Sequence, residues 1–533
     1  MSDPVTLDDT ATLRANRSRL KRGLGRFDVF FLLLCSLVGL DTIGSLAAAG
    51  HEAFTWLFVL SLLFFVPYGL IVAELSATFP LEGGQYTWTR LAFGRFVAGV
   101  AQLVYWLSNP VWVGGTLCVV AMTTFEKFVH PLPGVWTYVA GLVFIWAGVL
   151  CTSVSLKVGR WVPAIGALAR ILLLGFFFVS TIVYGVARGT QSLHWSDFRP
   201  TYLGFIALVP VIVFTFVGFE VSSSAAEEIE NPRRAIPLGV LRSGLMSFLM
   251  VAAPIAGVLL VLPGAQVSNL GGFVDACKAV FTVYGGQVNP DGSVALTGFG
   301  AVVGWLTAVG LIVALFTSGV SWALGENRAQ AVACADGTGP RYLGVLSASR
   351  GTPVRISVLS GVLATVVLAA ALNFTGGDTG RYFSAGLNLA ISMTMVAYLT
   401  VFPTLPVLRR KFPDLARPFT VPGGRLGGYV ASVLSTAIVL FTLCQLLWPG
   451  VGTGWFGSTG SPDDALPAGF EGQRWSYELT QLVPLVLFLA IGVTFVLIGR
   501  RETRAQAVTE LHSRQDFPAQ NLPVVQLGNE RPR

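Results

Sequence analysis

The chain has 533 residues, 53% hydrophobic before its 60 glycines are counted and only 12% charged, whereas soluble chains run at roughly 45–50% apolar with glycine included and about 25% charged. Its mean hydropathy of +0.68 and its apolar blocks of twenty or more residues exclude a disordered chain, a disulfide scaffold and an ordinary soluble enzyme. They define an all-α polytopic membrane protein. A net charge of +7 suggests nucleic acid as a partner in a soluble chain, but in a membrane protein it has to be tested against topology.

Twelve apolar stretches are predicted as membrane helices. They are α1 over 27–50, α2 over 54–79, α3 over 95–123, α4 over 134–153, α5 over 160–187 and α6 over 201–228. After these come α7 over 238–262, α8 over 299–325, α9 over 353–373, α10 over 382–405, α11 over 427–449 and α12 over 479–499. With this alternation, 28 of the 35 Lys and Arg residues fall on one side, which also carries both tails, and six fall on the other. Such a split assigns both termini to the cytoplasmic side of a plasma membrane. The basic charge is then topological, and no nucleic-acid partner is expected. The small-residue stretch Ser45–Gly50 resembles a leader cleavage site, but 26 residues precede the apolar run and Asp41 interrupts it, so α1 reads as a retained helix. The tails and the 326–352 loop read as polar segments on the inner side. The 263–298 and 450–478 loops fall on the outer side.

The six cysteines form no CxxC pair, and the four histidines show no metal-ligand spacing; no metal or cofactor is expected. No nucleotide-binding loop and no repeated filter sequence is visible, so a pump, an enzyme and a channel are all disfavoured against a secondary transporter.

Two helices carry matching interruptions. In α1 the run is Gly39-Leu40-Asp41-Thr42-Ile43-Gly44-Ser45, and in α6 Pro210 precedes Phe214-Thr215-Phe216-Val217-Gly218-Phe219-Glu220. Each opens a set of five helices, and each places an acid beside a glycine that lets the backbone unwind. Glycine alone is common in membrane helices for packing. A carboxylate at mid-membrane costs about 2.5–3.5 kcal/mol on insertion scales, so Asp41 and Glu220 are expected to face a polar cavity or to tie the unwound segments to neighbours. Unwinding frees N–H groups that suit a carboxylate and C=O groups that suit an ammonium, a combination that fits an amino acid. Arg170, within α5, reads either as a side chain reaching for the inner surface or as a buried cation anchoring α5 to the α1 break, through Asp41 or through freed carbonyls.

The chain resembles the amino acid–polyamine–organocation superfamily of permeases over about residues 27–425. The likeness lies in Ala73-Glu74-Leu75 with Phe79-Pro80-Leu81-Glu82-Gly83-Gly84-Gln85-Tyr86, in Glu227-Glu228-Ile229-Glu230-Asn231-Pro232-Arg233-Arg234-Ala235-Ile236-Pro237, in Asn327-Arg328 and Asp336-Gly337, and in Arg409-Arg410-Lys411-Phe412-Pro413-Asp414 followed by Arg417-Pro418-Phe419 and Val421-Pro422-Gly423-Gly424. The resemblance implies a five-plus-five inverted repeat of the leucine-transporter type with two further helices. It divides the chain into a tail (1–26), a transport core (27–425), α11–α12 (426–499) and a second tail (500–533). It implies alternating access to a substrate site at Asp41, Thr42, Ile43, Gly44, Ser45, Phe214, Thr215, Gly218 and Phe219. Backbone at Ile43–Ser45 would take a substrate carboxylate, Phe214 would gate, Glu220 would link to gating or protons, and Arg170 would occupy a former sodium position. The implied activity is sodium-independent transport of an amino acid, proton-coupled or by exchange. Asp41, an acid beside the expected site, keeps a polyamine or other organic amine open as substrate. Oligomeric state is left open.

Overall fold

The computed structural model describes residues 10–18, 23–154, 159–261, 272–289, 293–374 and 379–515. Eleven helices among the described residues are long and apolar enough to cross a membrane. They correspond to the expected α2 through α12. The expected α1 is in two pieces, Arg26–Leu37 and Ile43–Ala48, of 12 and 6 residues; neither is long enough to cross alone. The expected α6 is also in two pieces, an α-helix Tyr202–Thr215 and a 3₁₀ stretch Phe219–Glu228.

Several boundaries move, for local reasons. Helix α7 starts at Pro232 rather than 238, because proline is well placed at a first helical position, where its missing N–H is no loss. Helix α8 runs Gly298–Ala333 rather than ending at 325. No Gly or Pro lies between 326 and 336, and the winding changes only in the wide turn Cys334–Thr338, where Gly337 takes φ 86°. The start of the expected polar loop is therefore buried helix. Helix α12 spans Arg474–Gln515, past 499, since 500–515 again lacks Gly and Pro. In the expected N-terminal tail, Ala11–Arg17 is a short helix; the Thr10 hydroxyl donates to the Ala335 carbonyl and the Asn16 amide to the Gly344 carbonyl. The 263–298 segment, expected on the outer side, contains a helix, Gly272–Phe281, and an antiparallel pair, Gly286–Val288 with Val294–Leu296.

Helix α3 (Arg95–Phe128) is the central post. Of its apolar stretch 94% is buried, against 22% for α4 and for α12, and it packs on α8, α9, α10 and α12. Small residues permit this closeness: a Cβ on Gly114 would collide with the Ala364 carbonyl oxygen of α9. The first half of α1 packs on α5, α7 and α8. In α2 a wide turn, Ser61–Phe65, precedes Pro67, which accommodates the proline's missing N–H and its clash with the preceding turn.

The two ends of the bundle differ. At the basic end Glu74 binds Arg409 (2.5 Å) with Arg417 at 3.7 Å. Arg328 bridges Glu82 and Glu228. Asp336 takes Arg90 at 2.8 Å, Arg95 at 3.3 Å and the Tyr86 hydroxyl at 2.6 Å. The chain entering α1 is stitched to the end of α6: Gly23 and Leu24 donate to the Glu228 carbonyl (3.0 and 3.1 Å), and Glu230 donates back to Leu24 (2.9 Å). At the opposite end lies a cavity of about 260 Å³, lined by Ser45 and Ala49 of α1, Pro210 of α6, Asn388 of α10, Gln445 of α11 and Asp464 of the following loop.

Candidate functional site

The site is built where the two interrupted helices meet. Helix termini leave carbonyl and N–H groups without intrahelical partners, and a membrane interior supplies no water to satisfy them. Side chains from neighbouring helices do so here. The Ser318 hydroxyl donates to the Cys35 carbonyl (3.3 Å), Trp322 Nε1 to the Ser36 carbonyl (2.9 Å) and Arg170 Nε to the Val38 carbonyl (3.0 Å). The last carbonyls of the first half of α1 are thus held by α5 and α8. At the α6 break Gly218 has φ 131°, a conformation that glycine supplies without strain. A Cβ there would also meet the Ser36 backbone at 3.3 Å, so the two interruptions touch. The Gly218 and Phe219 N–H groups both donate to the Tyr68 hydroxyl, each at 3.0 Å.

Asp41 lies in the α1 break and is 4% exposed. Trp112 Nε1 of α3 donates to its Oδ2 at 2.8 Å, while its Oδ1 is buried with no hydrogen-bond partner. Thr42 and Thr215 link the two breaks through their hydroxyls at 3.0 Å. Phe214 stands edge-on to Trp112, ring centroids 5.9 Å apart, and Trp112 in turn meets Trp322 at 6.0 Å. Ile43 and Gly44 open the second half of α1 and are buried; Ser45 borders the cavity at the end opposite the basic one. The structure therefore brings Asp41, Thr42, Phe214, Thr215 and Gly218 together. Phe219 points elsewhere: it stacks on Phe65 at 4.8 Å and packs against Tyr68, in the α2–α7 core.

Arg170 is fully buried. Its guanidinium donates to the Val38, Gly166 and Ala314 carbonyls, to the Thr317 and Ser318 hydroxyls and to the Cys35 sulfur. Of the two sequence readings, snorkelling is excluded, and the anchoring partner is a freed carbonyl: no ion pair between Arg170 and Asp41 forms among the described residues. Planar, five-donor geometry suits this array of oxygens on α1, α5 and α8.

Glu220 is clasped by three phenols. Tyr68 of α2 donates to Oε2, and Tyr105 of α3 (2.5 Å) and Tyr398 of α10 (2.6 Å) donate to Oε1. Both oxygens are occupied, and the carboxylate fastens the start of the second half of α6 to three helices.

Sequence reasoning missed Trp112, Trp322, the three tyrosines and Glu326. The aromatic residues are indistinguishable from ordinary membrane-helix residues until the helices are placed. Glu326 had a readable signature, an acid next to an apolar helix, but ending α8 at 325 moved it into a polar loop.

A bundle whose first and sixth helices are interrupted side by side is built as substrate transporters are. The chain belongs to the amino acid permease family, whose profile matches residues 24–460. It is 26% identical over 444 residues to the probable agmatine/putrescine antiporter AguD of Lactococcus lactis, covering 80% of this chain and 90% of that one. It is 27% identical over 437 residues to the uncharacterized transporter lpg1691 of Legionella pneumophila, with 79% and 88% covered. It is 25% identical over 466 residues to the branched-chain amino acid permease BcaP of Bacillus subtilis, with 83% and 92% covered. Crystal structures of Eremococcus coleocola manganese transporter mutants superpose with a TM-score of 0.55 at 12% identity, covering 94% of this chain and 98% of theirs. At that identity the likeness is one of fold alone.

Proposed function

We propose that this permease carries a primary-amine substrate, an amino acid or a di- or polyamine, with the ammonium group against Asp41. The observation that carries the reading is the bare, buried Oδ1 of Asp41. A carboxylate oxygen without a donor in a low-dielectric site costs several kcal/mol, and an alkylammonium supplies the missing donors and charge together. Trp112 and Phe214 frame that position and suit a cation through their π faces. For an amino acid, the N–H groups at Ile43, Gly44 and Ser45 receive the carboxylate; a diamine has no such need. Similarity to an agmatine/putrescine antiporter and to a branched-chain amino acid permease supports both alternatives, and the added acid favours the amine.

Transport is sodium-independent in this reading. Arg170 places a permanent positive charge among the carbonyl and hydroxyl oxygens of α1, α5 and α8 that a sodium ion would require. The site is reached alternately, by exchange or with protons. The cavity at the outer end leads to Ser45, and the ion-paired basic end is the closed, cytoplasmic side of a plasma-membrane protein, as the distribution of Lys and Arg supports. The core of residues 27–425 does the work, with α11 and α12 flanking it.

The test is counterflow in proteoliposomes loaded with unlabelled amino acids and amines, against labelled putrescine, agmatine and leucine. Accumulation of labelled amine that D41N abolishes supports the reading. Leucine accumulation with full activity in D41N overturns the role of Asp41.

A further inference from the structure

A further acid besides Asp41 and Glu220 lies in the membrane bundle, and nothing described so far uses it. Glu326 of α8 is 1% exposed, and neither of its carboxyl oxygens has a hydrogen-bond partner. The polar groups around it are committed elsewhere. The Ser108 hydroxyl donates to the Tyr105 carbonyl at 2.6 Å. The next residue, Asn327, is satisfied by Trp106 Nε1, Ser357 and Ser360. Arg328 is turned to Glu82 and Glu228.

The location is specific. A Cβ on Gly325 would meet the Val221 carbonyl oxygen at 3.0 Å, so α8 at Gly325–Glu326 lies directly against the second half of α6 at Glu220–Val221. The titratable groups facing Glu326 are Glu220 from α6 and Tyr105 from α3; on its own helix the nearest charge is Arg328. Glu220 has both oxygens occupied by phenols, so those donors are not shared with Glu326. A buried carboxylate whose oxygens find no donor is a costly arrangement in a membrane interior, and a proton on it removes the charge.

We infer that Glu326 is a proton-carrying site of the transporter, holding a proton on its carboxyl in the conformation closed at the basic end. The structure also shows what would release it. Arg328, within one turn of Glu326, clasps Glu82 and Glu228 and helps seal the basic end. Parting α8 from the end of α6 to open that face breaks this clasp and brings water to Glu326. The carboxyl O–H then breaks and the proton leaves to water at that face; the bond re-forms with a proton taken up from the opposite face once the basic end has closed again, so one proton crosses per cycle. The seal and the proton site occupy the same turn of α8, so opening and proton exchange are linked. Asp41 is separate from this device: its partner Trp112 is seven residues from Tyr105, about 10 Å along α3.

The inference rests on the chain being a transporter but not on the amine reading, and the experiment separates the two. Infrared spectra of the full chain in liposomes at neutral pH resolve the carbonyl stretch of protonated carboxyl groups, to which exposed acids do not contribute. We expect such a band in the wild type and a component of it to be lost in E326Q. In the same vesicles an imposed pH gradient, of whichever sign drives accumulation, is expected to concentrate labelled putrescine or leucine. E326Q should lower that accumulation at least tenfold, with substrate-for-substrate exchange changed less than threefold, and E326D should restore part of it. A band unchanged in E326Q, no protonated-carboxyl band in the wild type, or undiminished gradient-driven accumulation in E326Q each overturns the inference. If the wild type exchanges neither probe, the substrate assignment fails and the infrared result still decides Glu326. If E326Q does not survive purification, the wild-type band and E326D decide it.

Discussion

Three charged residues near the helix breaks divide according to what surrounds them. Asp41 has one oxygen held and one bare, Glu220 has both held, and Arg170 is held by six acceptors. The bare oxygen is the one proposed to meet the ligand. D41N is expected to weaken amine affinity at least tenfold, since a charge-assisted hydrogen bond is worth about 1.5–3 kcal/mol and 1.4 kcal/mol is a factor of ten; half-saturation in counterflow measures it. W112F removes the indole N–H from Asp41 and should shift the same constant in the same direction by a smaller factor. R170A strands the Val38 carbonyl and should destabilise the fold by about 1–3 kcal/mol, read as a fall in melting temperature in detergent. Replacing sodium by choline should leave uptake unchanged; a sodium requirement would remove the assignment of Arg170 to that position.

At the scale of an element, an interruption in a membrane helix needs partners for the groups it frees. The α1 break finds them in Arg170, Ser318 and Trp322, and the α6 break in Tyr68. Gly218 combines a left-handed φ of 131° with contact to Ser36. G218A should cost about 1–3 kcal/mol through backbone strain and also wedge the breaks apart. Transport should fall more steeply than thermal stability, and equal loss in both assays would make Gly218 a packing residue alone. The interruptions were legible in the sequence because Gly beside Asp or Glu in an apolar run is a local pattern. Their partners were not, because Tyr68, Ser318 and Trp322 reach the breaks only after α2 and α8 have been packed. Glu326 was misplaced for a related reason: the end of α8 was read from falling hydropathy, whereas the helix persists through polar residues that neighbouring helices satisfy.

For the whole molecule, the described conformation is fastened at the basic end and hollow at the other. Glu74 with Arg409, Arg328 with Glu82 and Glu228, and Asp336 with Arg90 and Arg95 each join segments distant in sequence. Breaking a buried pair leaves its partner uncompensated, at about 3–5 kcal/mol. E74A should therefore shift the population toward conformations open at the basic end. Single cysteines placed at Leu24 or Ile229, which form the bridge between α1 and α6, should react with a membrane-impermeant thiol reagent several times faster in E74A than in its absence; equal rates would show that the pair is not part of the seal.

The sequence by itself determined the class of molecule, the approximate place of nearly every span and the two interrupted helices, because hydropathy, charge alternation and Gly beside an acid are properties of contiguous residues. It also singled out Asp41, Glu220 and Arg170, since each is expensive in a membrane wherever it ends up. The tertiary structure decided what each of them touches. Whether a buried carboxylate is a ligand site, a clamp or a proton site depends on how many of its oxygens find donors, and those donors come from helices 71 to 178 residues away in the chain. Asp41 waits on Trp112, Glu220 on Tyr68, Tyr105 and Tyr398, and Glu326 on no donor at all.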